Sequence, residues 1–272
     1  MEKTNSIDST TSKKKLSIQV SLNGLSFCIS SVEKETIESY NEVSFAFMEA
    51  SKPLESNLKD YFATHPNLHQ KFDVIVVLHH NKMSALVPNE LFDEDYIGSY
   101  LQYHTKVYDS DYFSHDGIDF LQAQCVYVPY IHLNNFLIEQ LGDFEYHHSH
   151  SVLLKSISKL HDANTSKVYI HFNENQADFL VFKQEQFVLL NSFDISTPTD
   201  LLYYTLFVME QNQLLPDFHE VVLLGSFIEQ DVNYQLLAEY VRNLSLLNSE
   251  SLAAKNYFSA SVNRKHFILF QA

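Results

Sequence analysis

An α/β protein of two similar lobes is predicted, each a mixed sheet flanked by helices, and three observations predict it. The runs FDVIVVL (72–78) and VVLLGS (221–226) have the continuous apolar character of strands covered on both faces. Several other segments place apolar residues at helical spacing behind proline, Thr/Asp or glycine boundary signals. The same order, three meandering strands followed by helix, strand and helix, also occurs in each half, which is the mark of a duplicated plan.

The elements follow in chain order. Residues 1–15 are polar and without period, and a mobile tail is expected there, with Lys13, Lys14 and Lys15 as its solvated flank. LSIQV and LSFCISS read as two strands joined at Asn23-Gly24, residue types suited to the positive φ of a two-residue hairpin. Val43–Phe47 completes the meander. Pro53 opens a helix bearing Leu54, Leu58, Tyr61 and Phe62 on one face, and His65-Pro66 stops it. Pro88 is expected to open another, striped by Leu91, Phe92, Tyr96, Ile97, Tyr100 and Leu101, with Asp93, Glu94 and Asp95 complementing its dipole. LQAQCVYV reads as a strand, Pro129 to Gln140 as a helix closed by Gly142, and FEYHHSHSVLLKSISK as a strand running into a helix.

In the second half, KVYIHF, ADFLVF and FVLLNSF form a meander with turns at Asn173–Gln176 and Gln184-Glu185. Thr197-Pro198-Thr199-Asp200 carries a capping box with proline at the first helical position. VVLLGS, an amphipathic helix marked by Leu236, Leu237, Tyr240, Val241 and Leu244, and a last strand HFILF complete the chain. The lobes are expected to span 16–158, with an insertion, and 159–272.

Composition narrows the function. Hydrophobic residues at 45% supply enough apolar mass for a sizeable core, so this is a folded chain. A formal charge of -16 repels nucleic-acid phosphates, and no nucleic-acid partner is expected. No apolar run approaches the ~18 residues a membrane span needs. With no leader pattern either, a cytoplasmic location follows by elimination. Cys28 and Cys125 lie in apolar strand-like runs and are expected to be buried free thiols.

This order, together with VPYIHLNNFLIEQLGDFEYHHSHSVLLKSI, IHFNENQADFLVFKQEQFVLLNSFDISTPTDLLYYTLF and VVLLGS, resembles the actin-like ATPase superfamily. Within it the closer likeness is to the pilus-assembly and secretion-system members. Over roughly residues 16 to 270 the chain is similar to domain of unknown function 3822, a family found mainly in Bacteroidota. The resemblance implies a duplicated actin-like (ribonuclease H-like) fold whose working members grip phosphates with two glycine-rich, aspartate-led hairpins. Here the degenerate cleft positions are Asn23 and Gly24, Asn173 and Asn175, and Gly225 with Ser226. With five glycines in the chain, two phosphate loops cannot be assembled, so a non-catalytic scaffold without a cofactor is expected, working through a protein partner or self-association. A nucleotide-binding protein with weak or no hydrolysis is the alternative.

Other clusters are weighed against structural roles. His147, His148 and His150 lie together, and His148 and His150 would share one face of a strand as metal ligands; a half-buried strand leading into a capped helix is the plainer reading. A metal-dependent enzyme built on that pair is the second alternative, with His161-Asp162 as a loose further source of ligands. His115, Asp116 and Asp119 surround Gly117, where turn chemistry is preferred over acid–base work. His79-His80-Asn81 ends a buried strand with no accompanying nucleophile motif. Tyr96 and Tyr100 are expected in the core, and Tyr103, Tyr108 and Tyr112 on a partner surface.

Overall fold

A computed structural model describes residues 13–45, 54–103, 105–108, 110–173, 175–248 and 255–272. The first lobe begins with a meander of β1 (Lys14–Val20), β2 (Gly24–Ser31) and β3 (Thr36–Ser44), followed by helix α1 (Leu54–Thr64) and strand β4 (Val74–His79). A small sheet interrupts it: β5 (Ser84–Pro88), β6 (Ser114–Ile118) and β7 (Ala123–Tyr127). Helix α2 (Ile131–Leu141), β8 (Glu145–His148) and α3 (Ser149–Leu160) follow. The second lobe runs β9 (Ser166–Asn173), β10 (Gln176–Lys183), β11 (Gln186–Asp194), α4 (Pro198–Gln211), β12 (Glu220–Gly225), α5 (Val232–Tyr240) and β13 (Asn243–Leu246). Two short helices, α6 (Ala260–Lys265) and α7 (Phe267–Gln271), come last.

The two large sheets have one topology. Their orders are β3-β2-β1-β4-β8 and β11-β10-β9-β12-β13, an antiparallel meander joined edgewise to two parallel strands. Because side chains alternate along a strand, each sheet buries two faces. Val77 on β4 faces α1 and α2 with Leu58, Phe62, Phe136 and Leu137, whereas Val76 and Leu78 face α3. Likewise Val168 and Ile170 on β9 join α4 and α5 residues, and Tyr169 points the other way. The inner faces of both sheets share one core with Leu153, Leu154 and Ile157 of α3 and Phe267 and Ile268 of α7. Helices α3 and α7 therefore lie between the sheets and join the lobes.

Several elements differ from expectation, each for a local reason. HFILF is helical: Ser259 accepts from Val262 N to start α6, and Phe267 to Phe270 are buried on every side, so no period separates strand from helix. Segment 89–101 forms two 3₁₀ turns rather than an α-helix, kinked at Tyr96 (φ -114°) after the Asp93 side chain accepts from Asp95 N. Tyr96 is consequently 63% exposed, not core, while Tyr100 is half-buried and its hydroxyl ties Leu91 O to Asp93 N. His115, Asp116 and Gly117 lie in β6, and the turn comes after them, at Asp119–Leu121. The third strand starts earlier, at Thr36, because its polar alternate residues hide an edge strand; Phe47 and Pro53 fall outside the described residues. Leu244 belongs to β13 rather than to α5.

The first hairpin does not use positive φ. Ser21 to Gly24 form the loop, closed by Ser21 N donating to Gly24 O at 2.9 Å. Glycine is needed at 24 for space, since a Cβ there would sit 2.5 Å from Val43 O. Strand β1 begins at Lys14, and both Lys14 and Lys15 have partners: Lys14 Nζ donates to Gln70 Oε1 (3.0 Å) and Lys15 Nζ to Ala272 O (2.8 Å). Cys28 and Cys125 are buried free thiols whose pKa burial pushes up to about 12. No helix among the described residues is long and apolar enough to cross a membrane.

Candidate functional site

The two hairpin tips and the end of β4 enclose a cavity of about 380 Å³ between the lobes, lined by Ser21, Leu22, Asn23, His80, Asn81, Lys82, Tyr130, Asn173, Asn175, Gln176 and Asp194 among others. Three expected cleft positions, Asn23, Asn173 and Asn175, thus meet around one space. Gly24 turns to the other side of its hairpin, toward Glu42 and Lys265. Gly225 and Ser226 do not line either cavity. Gly225 has φ +88°, a Cβ there would lie 2.1 Å from Phe172 O, and Ser226 N donates to that same oxygen at 2.8 Å. Glycine at 225 is thereby explained by strand packing alone.

A magnesium nucleotide fits these residues poorly. At the first tip the amides of Asn23 and Gly24 already donate to Ser21 Oγ, at 3.2 and 3.1 Å. Lys82 is the one Lys or Arg among the described lining residues, and its ammonium is paired with Asp194. Neither tip supplies an aspartate: Ser21 follows β1, and Asn173 ends β9. Glu174 lies outside the described residues.

Behind this cavity the lobes meet through buried polar groups that arrive from five elements. Asp178 of β10 is the hub. Its Oδ1 accepts from Gln176 Nε2 (2.7 Å) and Ser192 Oγ (2.6 Å) and lies 3.2 Å from His150 Nε2, while Oδ2 faces His171 Nδ1 at 3.3 Å. Burial raises the Asp178 carboxyl, but the neighbouring His150 and the hydrogen bonds from His150 and His171 outweigh it and hold the group well below the usual carboxylate range. His80, after β4, bonds Ser149 Oγ through Nδ1 at 2.9 Å, and burial lowers its pKa from 6.5 to about 4.

A second hub is Asp116, on the small sheet. It accepts from Ser151 Oγ (2.6 Å) and His148 N (2.8 Å), and faces His147 Nδ1 at 3.0 Å. His115, one residue away, points instead to Gln124, so the expected group of His115, Asp116 and Asp119 is not assembled. His148 and His150 do not share a strand face. His148 ends β8 and accepts from His150 N through Nδ1, starting α3, while its Nε2 lies 3.4 Å from Asn81 Oδ1. His150 is fully engaged by Ser84, Ser192 and Asp178. No group of three metal-ligating side chains forms among the described residues. His161 spends its nitrogens on Tyr169 Oη and Gln184 O.

Sequence reasoning missed Asp178, His171 and Ser192. A signal existed for the first two: each is the polar exception in an apolar strand, ADFLVF and KVYIHF, and buried carboxylates occur only where partners are provided.

Two sheets of duplicated order, with an inserted small sheet and helices between the lobes, define the actin-like ATPase fold. A Bacteroides thetaiotaomicron protein of unknown function with that fold superposes with a TM-score of 0.77 at 22% identity, covering 91% of this chain and 97% of its own. The PilM–PilN type IV pilus biogenesis complex gives a TM-score of 0.57 at 11% identity, over 94% of this chain and 95% of that one. No curated protein matches. The chain belongs to the family described as protein of unknown function (DUF3822), whose profile matches residues 2–244.

Proposed function

We propose that this protein is an actin-like interaction module, with lobes at 16–158 and 159–272, whose inter-lobe cleft does not turn over nucleotide. The observation that carries the reading is the use of the hairpin amides by Ser21 Oγ beside a lysine paired with Asp194. A triphosphate would have to displace both, and the described lining residues are not net cationic. Protein partnership is supported by the exposed aromatic residues Tyr103, Tyr108 and Tyr112 on the excursion that precedes β6, a residue type enriched at protein contacts. It is also supported by the likeness in fold to a protein solved as a two-component complex. The partner is a protein or a second copy of the chain, and the cytoplasm is the compartment this reading implies.

Thermal denaturation with magnesium and about 5 mM ATP tests the cleft. A ligand at 100 times its Kd would add about 2.7 kcal/mol. No rise in Tm is expected, and a saturable rise with phosphate release would overturn the reading. Light scattering of the purified chain, alone and with a partner identified by crosslinking through Tyr103, tests the interaction. A monomer that crosslinks to nothing in its native cell would sink it.

A further inference from the structure

On the far side of Lys82 the lobes enclose a separate cavity of about 420 Å³, and it contains an arrangement that the cleft lacks. Ser84 opens β5 and lines this space, with His150 beside it. Ser84 Oγ lies 2.7 Å from His150 Nδ1, and the opposite ring nitrogen, Nε2, lies 3.2 Å from Asp178 Oδ1. Because Nε2 faces a carboxylate, it carries the ring proton, which leaves Nδ1 free to accept from the Ser84 hydroxyl. The imidazole and carboxylate are 4% and 1% exposed, and Asp178 is itself held by Gln176, Ser192 and His171, so the ring's orientation is fixed from behind. A hydroxyl, a base oriented by a third group, and an adjoining space for a substrate are the parts of an activated nucleophile.

We propose that Ser84, His150 and Asp178 form an acyl-transfer site acting on small esters with a short apolar acyl group. Ala85, Leu86, Phe187 and Leu190 provide the apolar wall against which the acyl chain packs, and Lys82, paired with Asp194, is the one Lys or Arg among the described residues of the same lining. Ser84 Oγ bonds to the acyl carbon as its proton passes to His150 Nδ1. Collapse of the adduct breaks the bond to the leaving alcohol oxygen, which takes that proton. Water then attacks the acyl-serine with His150 again as base, releasing the carboxylic acid and restoring the hydroxyl. Ser84 and His150 are the catalytic residues, and Asp178 is a positioning residue. The three come from β5, α3 and β10, so the site is complete only when the lobes are docked. The inference is independent of the cleft reading, which concerns nucleotide.

The test uses the full wild-type chain with a fluorophosphonate probe and with p-nitrophenyl butyrate. A stoichiometric phosphonyl adduct mapped to Ser84 by peptide mass spectrometry is expected, together with ester turnover. Turnover should fall at least about 100-fold in S84A, while S84C should still form an acyl adduct. D178N should lower kcat with KM little changed, the split expected of a lost orienting group rather than a lost pocket. Absence of a Ser84 adduct on folded wild-type protein overturns the proposal, as does a rate unchanged in S84A.

Discussion

The ends of β4 and β12 are the same place in a duplicated plan, and they have diverged. Strand β4 pairs with β1 from Val74 to His79, and β12 pairs with β9 from Glu220 to Gly225, so His79 and Gly225 hold corresponding positions. In the second lobe the backbone turns at Gly225 and packs directly on Phe172. In the first, the chain continues as His79-His80-Asn81, all buried, and fills the seam with imidazoles. The lesson is that one lobe closes its strand end by backbone contact and the other by buried polar side chains. The two closures respond to different perturbations.

Acid should act on the first-lobe closure, and it carries the largest expected effect. Burial lowers both His79 and His80 from 6.5 to about 4, and lowers His148 well below 6.5, the last helped by the neighbouring His150, His80 and His79. Histidines whose folded pKa is depressed stabilise fully above the unfolded value and lose that contribution as pH falls from 6.5 toward 4. Each of His79 and His80 then accounts for about 3 kcal/mol over the whole window. Asp178 adds loss in the same direction, below its ordinary value of 3.8. Thermal melts from pH 7 to pH 4 should show a steep decline beginning near 6.5, and His80→Gln should flatten it. A melting temperature level down to pH 5 would show that the imidazoles titrate freely.

Gly225→Ala probes the other closure. Its Cβ would meet Phe172 O at 2.1 Å at a positive φ, and the backbone cannot yield without breaking the β9–β12 pairing. A loss of about 4 kcal/mol is expected in urea denaturation. The corresponding His79→Ala should cost only about 1–2 kcal/mol at pH 7. It removes a buried Nε2 that has no hydrogen-bond partner, although Nδ1 accepts from Tyr130 N.

The sequence displayed these two closures unequally. Gly225-Ser226 and His79-Asn81 both stood out at the ends of apolar runs, and the Thr197–Asp200 capping box is present as read. What was hidden is pairing across the lobes. His150 and Asp178 are 28 positions apart, Ser84 is farther still, and no spacing rule connects them because the contact is made by docking two sheets around α3. Asp116-Gly117 misled for a related reason: the residue types of a turn sit in β6 because Ser151 and His148, on α3 and β8, satisfy the carboxylate. The small sheet's third strand was therefore legible only from the tertiary fold.

Between the two closures lies Asp178, whose replacement tests the tie itself. Asp178→Asn should cost about 3 kcal/mol at pH 7, because His150 and His171 lose the ionised acceptor that both face. If the denaturation midpoint hardly moves, the hub is not what holds the seam.

Lys82 to Asp194 also crosses between the lobes, at the mouth of the cleft, and it makes the sharpest contrast with the buried tie. Both side chains are more than half exposed, at 54% and 69%. Water screens such a pair and both chains give up rotamer freedom to hold it, so Lys82→Ala should cost under about 1 kcal/mol, and less again in 0.5 M salt. The Asp178→Asn loss should hardly change with salt, because its partners are out of reach of counterions. Equal salt dependence in the two variants would mean that water enters the seam, and the imidazoles could not then remain neutral below pH 6.5.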